Sequence, residues 1–171
     1  MTPPRAPQIW IALLVVFADQ VTKALVRSSF QLHESVTVIP GFFDLTRVHN
    51  TGAAFGFLDP IDFPYKPVVL ALVAVAALVG LTFYSATLEP EQRLTRTGLA
   101  FVIGGAAGNL IDRVTAGYVL DFVDLYRGDW HFWAFNVADA AINVGVAFMI
   151  LDLLLPARMR GATVAAGPRP E

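Results

Sequence analysis

Four stretches of this chain, residues 8–27, 67–86, 95–114 and 132–155, are long and apolar enough to cross a bilayer as helices, a task that takes about 20 mainly apolar residues. The second runs VVLALVAVAALVGLTFY behind Pro67 without a single charge. A chain of 171 residues cannot enclose four such helices in water, so their apolar surfaces must meet lipid. Composition agrees: 56% of residues are hydrophobic and 15% charged, against about 45–50% and about 25% in soluble domains. The expected fold is mainly α and integral to the membrane: a four-transmembrane-helix bundle with a small extracytoplasmic β-rich subdomain between helices 1 and 2. Residues 1–155 form a single polytopic domain, and 156–171, ending GATVAAGPRPE, are expected to be a disordered cytoplasmic tail.

Four spans put both termini on one side. Arg5, Arg93, Arg96, Arg158, Arg160 and Arg169 fall on that side, whereas Arg27, Arg47, Lys66 and Arg127 are spread through the longer opposite loops. By the bias of basic residues in short loops, the termini and the 87–94 turn are cytoplasmic, and 28–66 and 115–131 lie at the outer face. The run Ile9 to Ala18 behind Arg5 resembles a signal peptide but leads into Asp19-Gln20 with no small-x-small cleavage site, so it reads as a retained first helix. Residues 30–58 contain SVTVIPGFFDLTRVHNTGAAFGF, β-formers broken by Pro40-Gly41 and Gly52, the pattern of short strands and turns. The loop at 57–66, with Pro60 and Pro64, is expected to move as a lid. A net charge of −2 with no basic stripe excludes nucleic-acid binding, and the absence of cysteine excludes disulfides, thiolate nucleophiles and Cys-ligated metals.

Ionisable groups inside a span are costly and mark either function or internal pairing. The first span carries Asp19, Gln20 and Lys23, with Asp19 and Lys23 four apart on one face and positioned to pair. The third, GLAFVIGGAAGNLIDRV, has Gly104 and Gly108 spaced for close helix approach, then Asn109, Asp112 and Arg113. Asp112 beside Arg113 reads as a structural anchor. In the fourth, FWAFNVADAAINVG, Asn136, Asp139 and Asn143 recur at i, i+3 and i+7 on one face that cannot look at lipid. Burial of Asp139 and a second carboxylate close by would let the two share one proton, one acid activating water while the other protonates. The partner must come from 115–131, which offers Asp121, Asp124 and Asp129; Asp129 beside Gly128 is a turn residue, and spacing does not choose between the other two.

Serine and zinc chemistries lack their residues. Ser28, Ser29, Ser35 and Ser85 have no evident His partner, His33, His49 and His131 are isolated, and no HExxH occurs. Other intramembrane aspartic proteases use a GxGD motif, which is absent.

The blocks Asp19-Gln20-x-x-Lys23, Asn50-Thr51-Gly52-Ala53-Ala54-Phe55, Gly108-Asn109-x-x-Asp112-Arg113, Val119-Leu120-Asp121-Phe122 and Phe135-Asn136-x-Ala138-Asp139 occur in that order. Together they resemble the lipoprotein signal peptidase (signal peptidase II) family over about residues 10–155. Leu120 is a small departure, since the family more often has Val there. The resemblance implies that Asp121 and Asp139 are the catalytic pair. It also implies that Asp19, Lys23, Asn50, Gly52, Gly108, Asn109, Asp112, Arg113, Asn136 and Asn143 bind substrate or support the site. Members remove signal peptides from bacterial prolipoproteins before a diacylglyceryl cysteine, by water attack and without metal or cofactor. The implied setting is the bacterial plasma (inner) membrane, with the active site near the outer face, a monomer, lipid and prolipoprotein as partners, and inhibition by globomycin. A proton-coupled transporter using Asp19, Lys23, Asp112 and Asp139 as a relay is the alternative reading, and a noncatalytic scaffold a third.

Overall fold

In the computed structural model, residues 6–52 and 63–155 are described. Four helices long and apolar enough to span a membrane follow one another: α1 (Ala6–Ser29), α2 (Lys66–Thr87), α3 (Arg93–Ala116) and α4 (Val137–Leu154). Their packing inverts that of a soluble protein. Trp10, Phe17 and Phe83 are 69%, 66% and 71% exposed, whereas Asp19, Lys23, Asp112 and Asn136 are wholly buried. Apolar side chains gain nothing by leaving lipid, while polar groups must find partners inside, so a bundle in hydrocarbon sorts its residues this way.

The central helix is α3, which packs on each of the other three. Small residues let it do so. A Cβ at Gly104 would stand 2.8 Å from the Ala12 carbonyl oxygen of α1, and one at Gly108 2.6 Å from Asp19 Oδ2, so the predicted GxxxG face is the face that meets α1. The α3–α4 contact uses a second set, in which Gly98 and Gly145 each lie against the other's carbonyl oxygen.

A four-stranded antiparallel sheet in the order β1-β2-β3-β4 stands at one end of the bundle. Strands β1 (Ser35–Ile39) and β2 (Phe43–Asn50) form a hairpin around Gly41, whose φ of 78° suits glycine. Gly117, at φ 80°, ends α3 in the left-handed conformation and donates its N–H to the Arg113 carbonyl, turning the chain into β3 (Val119–Arg127). β3 pairs with β2, setting Asp121 opposite Val48, and with the short β4 (Trp130–His131). Val26 of α1 packs with Leu120 and Phe122 of β3 and joins sheet to bundle.

Three expectations need correction. The sheet does not lie only between the first two helices: β3 and β4 come from between α3 and α4, and β3 is a central strand. The fourth span, expected from 132, becomes helical only at Val137. Phe135 lies extended against β3, exchanging hydrogen bonds of 2.8 and 3.0 Å with Val123. The aromatic run that made 132–136 look like membrane helix is therefore not helical but bridged to β3 at Phe135, and the helix starts where Asn136 caps α4. Asn136 is thus outside the helical face on which it was expected with Asp139 and Asn143. Most of the expected lid, and the C-terminal tail, lie outside the described residues.

Candidate active site

Asp121 enters from the third position of β3 and Asp139 from the first turn of α4. Along a strand, side chains alternate between faces, so Asp121 and Asp124, three apart, point oppositely. Only Asp121 joins Asp139 in lining a cavity of about 330 Å³, whose walls also carry Asn50, Asn109, Arg113 and Asn143. Asp124 pairs with His131, its Oδ2 2.9 Å from Nδ1.

Three asparagines hold the two acids. The Asn136 side-chain amide donates to Asp121 Oδ1 at 2.7 Å, and Asn50 donates to Asp121 Oδ2 at 3.0 Å. Asn109 donates to Asp139 Oδ1 at 2.8 Å. Asn136 and Asp139 also form a capping box: Asn136 Oδ1 accepts from the Asp139 N–H at 3.0 Å, and Asp139 Oδ2 accepts from the Asn136 N–H at 3.2 Å. The same bonds that start α4 therefore fix the orientation of Asp139. Asn136 is wholly buried and also reaches Asn109 Oδ1 at 3.2 Å, so the supports of the two acids are tied together. Burial first, and the neighbouring Asp139 second, push the Asp121 carboxyl up to about 7.

Beside the pair lies a charge cluster in which Asp19, Lys23 and Asp112 are closed to solvent and Arg27 reaches its edge. Lys23 Nζ sits 2.8 Å from Asp19 Oδ2, 2.9 Å from Asp112 Oδ2 and 2.9 Å from Asn109 Oδ1. Arg27 reaches the other oxygen of Asp112 at 2.7 Å. Two cations thus meet two anions, and each anion makes a further bond. Asp19 accepts from the Ala138 N–H at 3.0 Å, at the positive end of α4, and Asp112 accepts from the Leu120 N–H at 3.1 Å. Asp19, Lys23 and Asp112 are consumed in joining α1, α3, β3 and α4, and none of them lines the cavity. Gly108 gives its carbonyl to Gln20 at 3.1 Å and leaves room for Asp19.

Arg113 lines the cavity and donates to the Gly52 carbonyl at 3.2 Å, while Gly52 donates its N–H to Asn50 Oδ1 at 2.9 Å. Strand β2 and helix α3 are thereby coupled at the rim. Asn143 is exposed and donates to the Asp139 carbonyl. The sequence reading missed the apolar lining, Phe132, Trp133 and Phe135 on one side and Ala74 and Ala77 of α2 on another, and also Arg27 as a member of the charge cluster. The aromatic run just before an Asn helix cap was the signal available for the first.

Comparison with known proteins gives a consistent result. Residues 11–155 match the family model described as Signal peptidase (SPase) II. The chain is 43% identical over 141 residues to a lipoprotein signal peptidase of Syntrophus aciditrophicus, covering 82% of this chain and 88% of that one. It is 46% identical over 137 residues to one of Geobacter metallireducens, covering 80% and 83%. Among solved structures, a bacterial membrane enzyme determined by the in meso method superposes with a TM-score of 0.77 at 32% identity, covering 87% of this chain and 88% of that chain. A family model spanning most of the chain, relatives above 40% identity and a shared membrane fold leave one conclusion: this chain belongs to the signal peptidase II family of membrane peptidases.

Proposed function

We propose that the chain removes the signal peptide from diacylglyceryl-modified prolipoproteins by aspartic catalysis, with Asp121 and Asp139 as the acid–base pair. The observation that carries this reading is two carboxylates lining one cavity, each held by an asparagine amide rather than by a cation. Among the described residues, the ion pairs of Lys23 are made with Asp19 and Asp112, not with these two acids. An acid near neutral pH beside a second carboxylate can keep one proton between the two.

The step balances without any further group. The ionised acid takes a proton from water as the water oxygen bonds to the scissile carbonyl carbon, and the protonated acid donates to the carbonyl oxygen. Collapse of the tetrahedral species breaks the C–N bond, and the amine leaves with a proton from the pair. The asparagine amides hold both acids in place throughout. Arg113, on the same cavity wall, balances the single negative charge that the pair keeps. The apolar wall of Phe132, Trp133, Ala74 and Ala77 suits a substrate that arrives from lipid with its acyl chains still in hydrocarbon.

The setting belongs to the same proposal: a monomer in the plasma membrane, termini cytoplasmic and the sheet outside. The test is cleavage of a prolipoprotein peptide with and without the diacylglyceryl group, with the cut mapped by mass. A single cut immediately before the lipidated cysteine, inhibited by globomycin and at least tenfold slower on the unlipidated peptide, is expected. Equal cleavage of both peptides, or a cut elsewhere, overturns it.

A further inference from the structure

At the end of the bundle away from the sheet, α1 and α2 both pack on α3 but hardly meet each other. The gap is a crevice of about 280 Å³, separate from the cavity of the acids. Its walls are apolar in part, with Ile9 and Ala12 of α1 and Leu99 and Ile103 of α3, and polar in part, with Gln8 and Arg96.

Two unsatisfied groups define what fits. Arg96, half-buried in the first turn of α3, makes no side-chain ion pair or hydrogen bond among the described residues, although Glu89 and Glu91 stand on the adjoining turn. The buried Oε1 of Gln8 likewise has no donor among them. A guanidinium beside hydrocarbon wants an anion, and a buried amide oxygen wants a hydroxyl or N–H. The adjoining apolar walls want an acyl chain.

We infer that this crevice binds one anionic glycerophospholipid of the surrounding leaflet, its phosphate on Arg96, a headgroup hydroxyl on Gln8 and an acyl chain along Ile9 and Ile103. A choline headgroup supplies neither net negative charge nor a donor, so it fits less well. The cationic amino end of a signal peptide is repelled by Arg96. The site is independent of the proposed chemistry, because none of its residues touches the acids' cavity.

Native mass spectrometry of the full chain, released from mixed phosphatidylglycerol and phosphatidylcholine micelles, tests this. Wild type is expected to retain one phosphatidylglycerol with at least about fivefold preference over phosphatidylcholine, the effect of one arginine near a lipid surface. Arg96→Gln should lose that preference, while Arg93→Gln, at an exposed neighbour outside the crevice, keeps most of it. Should Arg96→Gln fail to fold, Ser85→Trp fills the crevice from α2 with Arg96 intact and is expected to expel the lipid. Peptide cleavage in zwitterionic detergent is expected to be unchanged in both variants, so a failure of the catalytic reading and a failure of this one are separable. Equal retention of the two lipids by wild type overturns the inference, as does an unaltered preference in a folded Arg96→Gln. A gain of lipid on deleting 156–171, which would assign the crevice to the chain's own C-terminal segment, and tight binding of soluble glycerol phosphate, which would remove the need for an acyl chain, overturn it too.

Discussion

Asp121 shows how much one position can carry. Its ordinary carboxyl value of 3.8 rises to about 7 because burial disfavours the charge and Asp139 repels it, while Asn50 and Asn136 pull the other way. A carboxyl whose folded value lies above its unfolded one favours the folded state while protonated. That contribution is fully present below pH 3.8 and is lost as pH rises through about 7. If catalysis needs one proton on the pair, kcat/KM should fall on the alkaline side with a midpoint near 7; a pH–rate profile flat to about pH 9 contradicts this. Replacing Asn50 with Leu removes a donor to the ionised form, so the alkaline limb should move to higher pH. In Asp139→Asn, the infrared carboxyl titration of Asp121 should move down but stay above 3.8, since burial is the larger cause.

At the scale of elements, one residue often served two ends, and that decided what was legible. Asp19, Lys23, Asn109, Asp112 and Asp139 stood out because charge and amide groups in apolar spans have few bland explanations, whereas Asn50 and the preference for Asp121 came from the family resemblance. The non-helical course of the chain from β3 through β4 to the bridge at Phe135 did not stand out, because a run such as HFWAF counts as apolar whether it faces lipid or a sheet. The Asn-x-x-Asp spacing at 136–139 held the missing boundary, since it is a helix start as well as a polar face. Spacing left Asp121 and Asp124 open and only the family resemblance preferred Asp121; that Asp121 alone of the two lines the cavity follows from the strand's alternation, which cannot be applied before the strand is known. Asn136→Ser keeps an oxygen for the cap but loses the amide that holds Asp121. The helix should still start at the same place, but its thermal midpoint in detergent should fall, because buried acceptors on Asp121, Asn109 and Leu120 lose their donor at a cost of about 1–3 kcal/mol, while cleavage drops at least tenfold in the protein still folded. The glycine pair 98 and 145 was missed because only a GxxxG spacing was sought, not a lone glycine facing another helix. Gly98→Leu should therefore cost at least about 1–3 kcal/mol, whereas Gly80→Leu, where a Cβ would meet nothing within 4 Å, should be nearly neutral. Equal effects in a thermal scan would count against the packing described.

Across the whole molecule, an apolar exterior surrounds a polar spine that runs from Arg27 and Lys23 through Asp19, Asp112 and Asn109 to the two acids. The spine joins four elements that lipid alone would not align, and so fixes Asp139 relative to Asp121. Lys23→Met leaves Asp19 and Asp112 buried beside a lost cation and should cost about 3–5 kcal/mol. Arg27→Met, at a cation 31% exposed, should cost much less. The family shown by comparison fits a peptidase better than a proton relay, because Asp19, Lys23 and Asp112 are locked to one another rather than strung along a path. The most direct measurement is cleavage of a diacylglyceryl-modified prolipoprotein peptide by wild type, Asp121→Asn and Asp139→Asn, with binding of the same peptide followed in parallel. Both variants should bind within a few-fold of wild type and lose roughly 10³-fold or more in cleavage rate; a folded variant of either residue that cuts at a near wild-type rate would contradict the account.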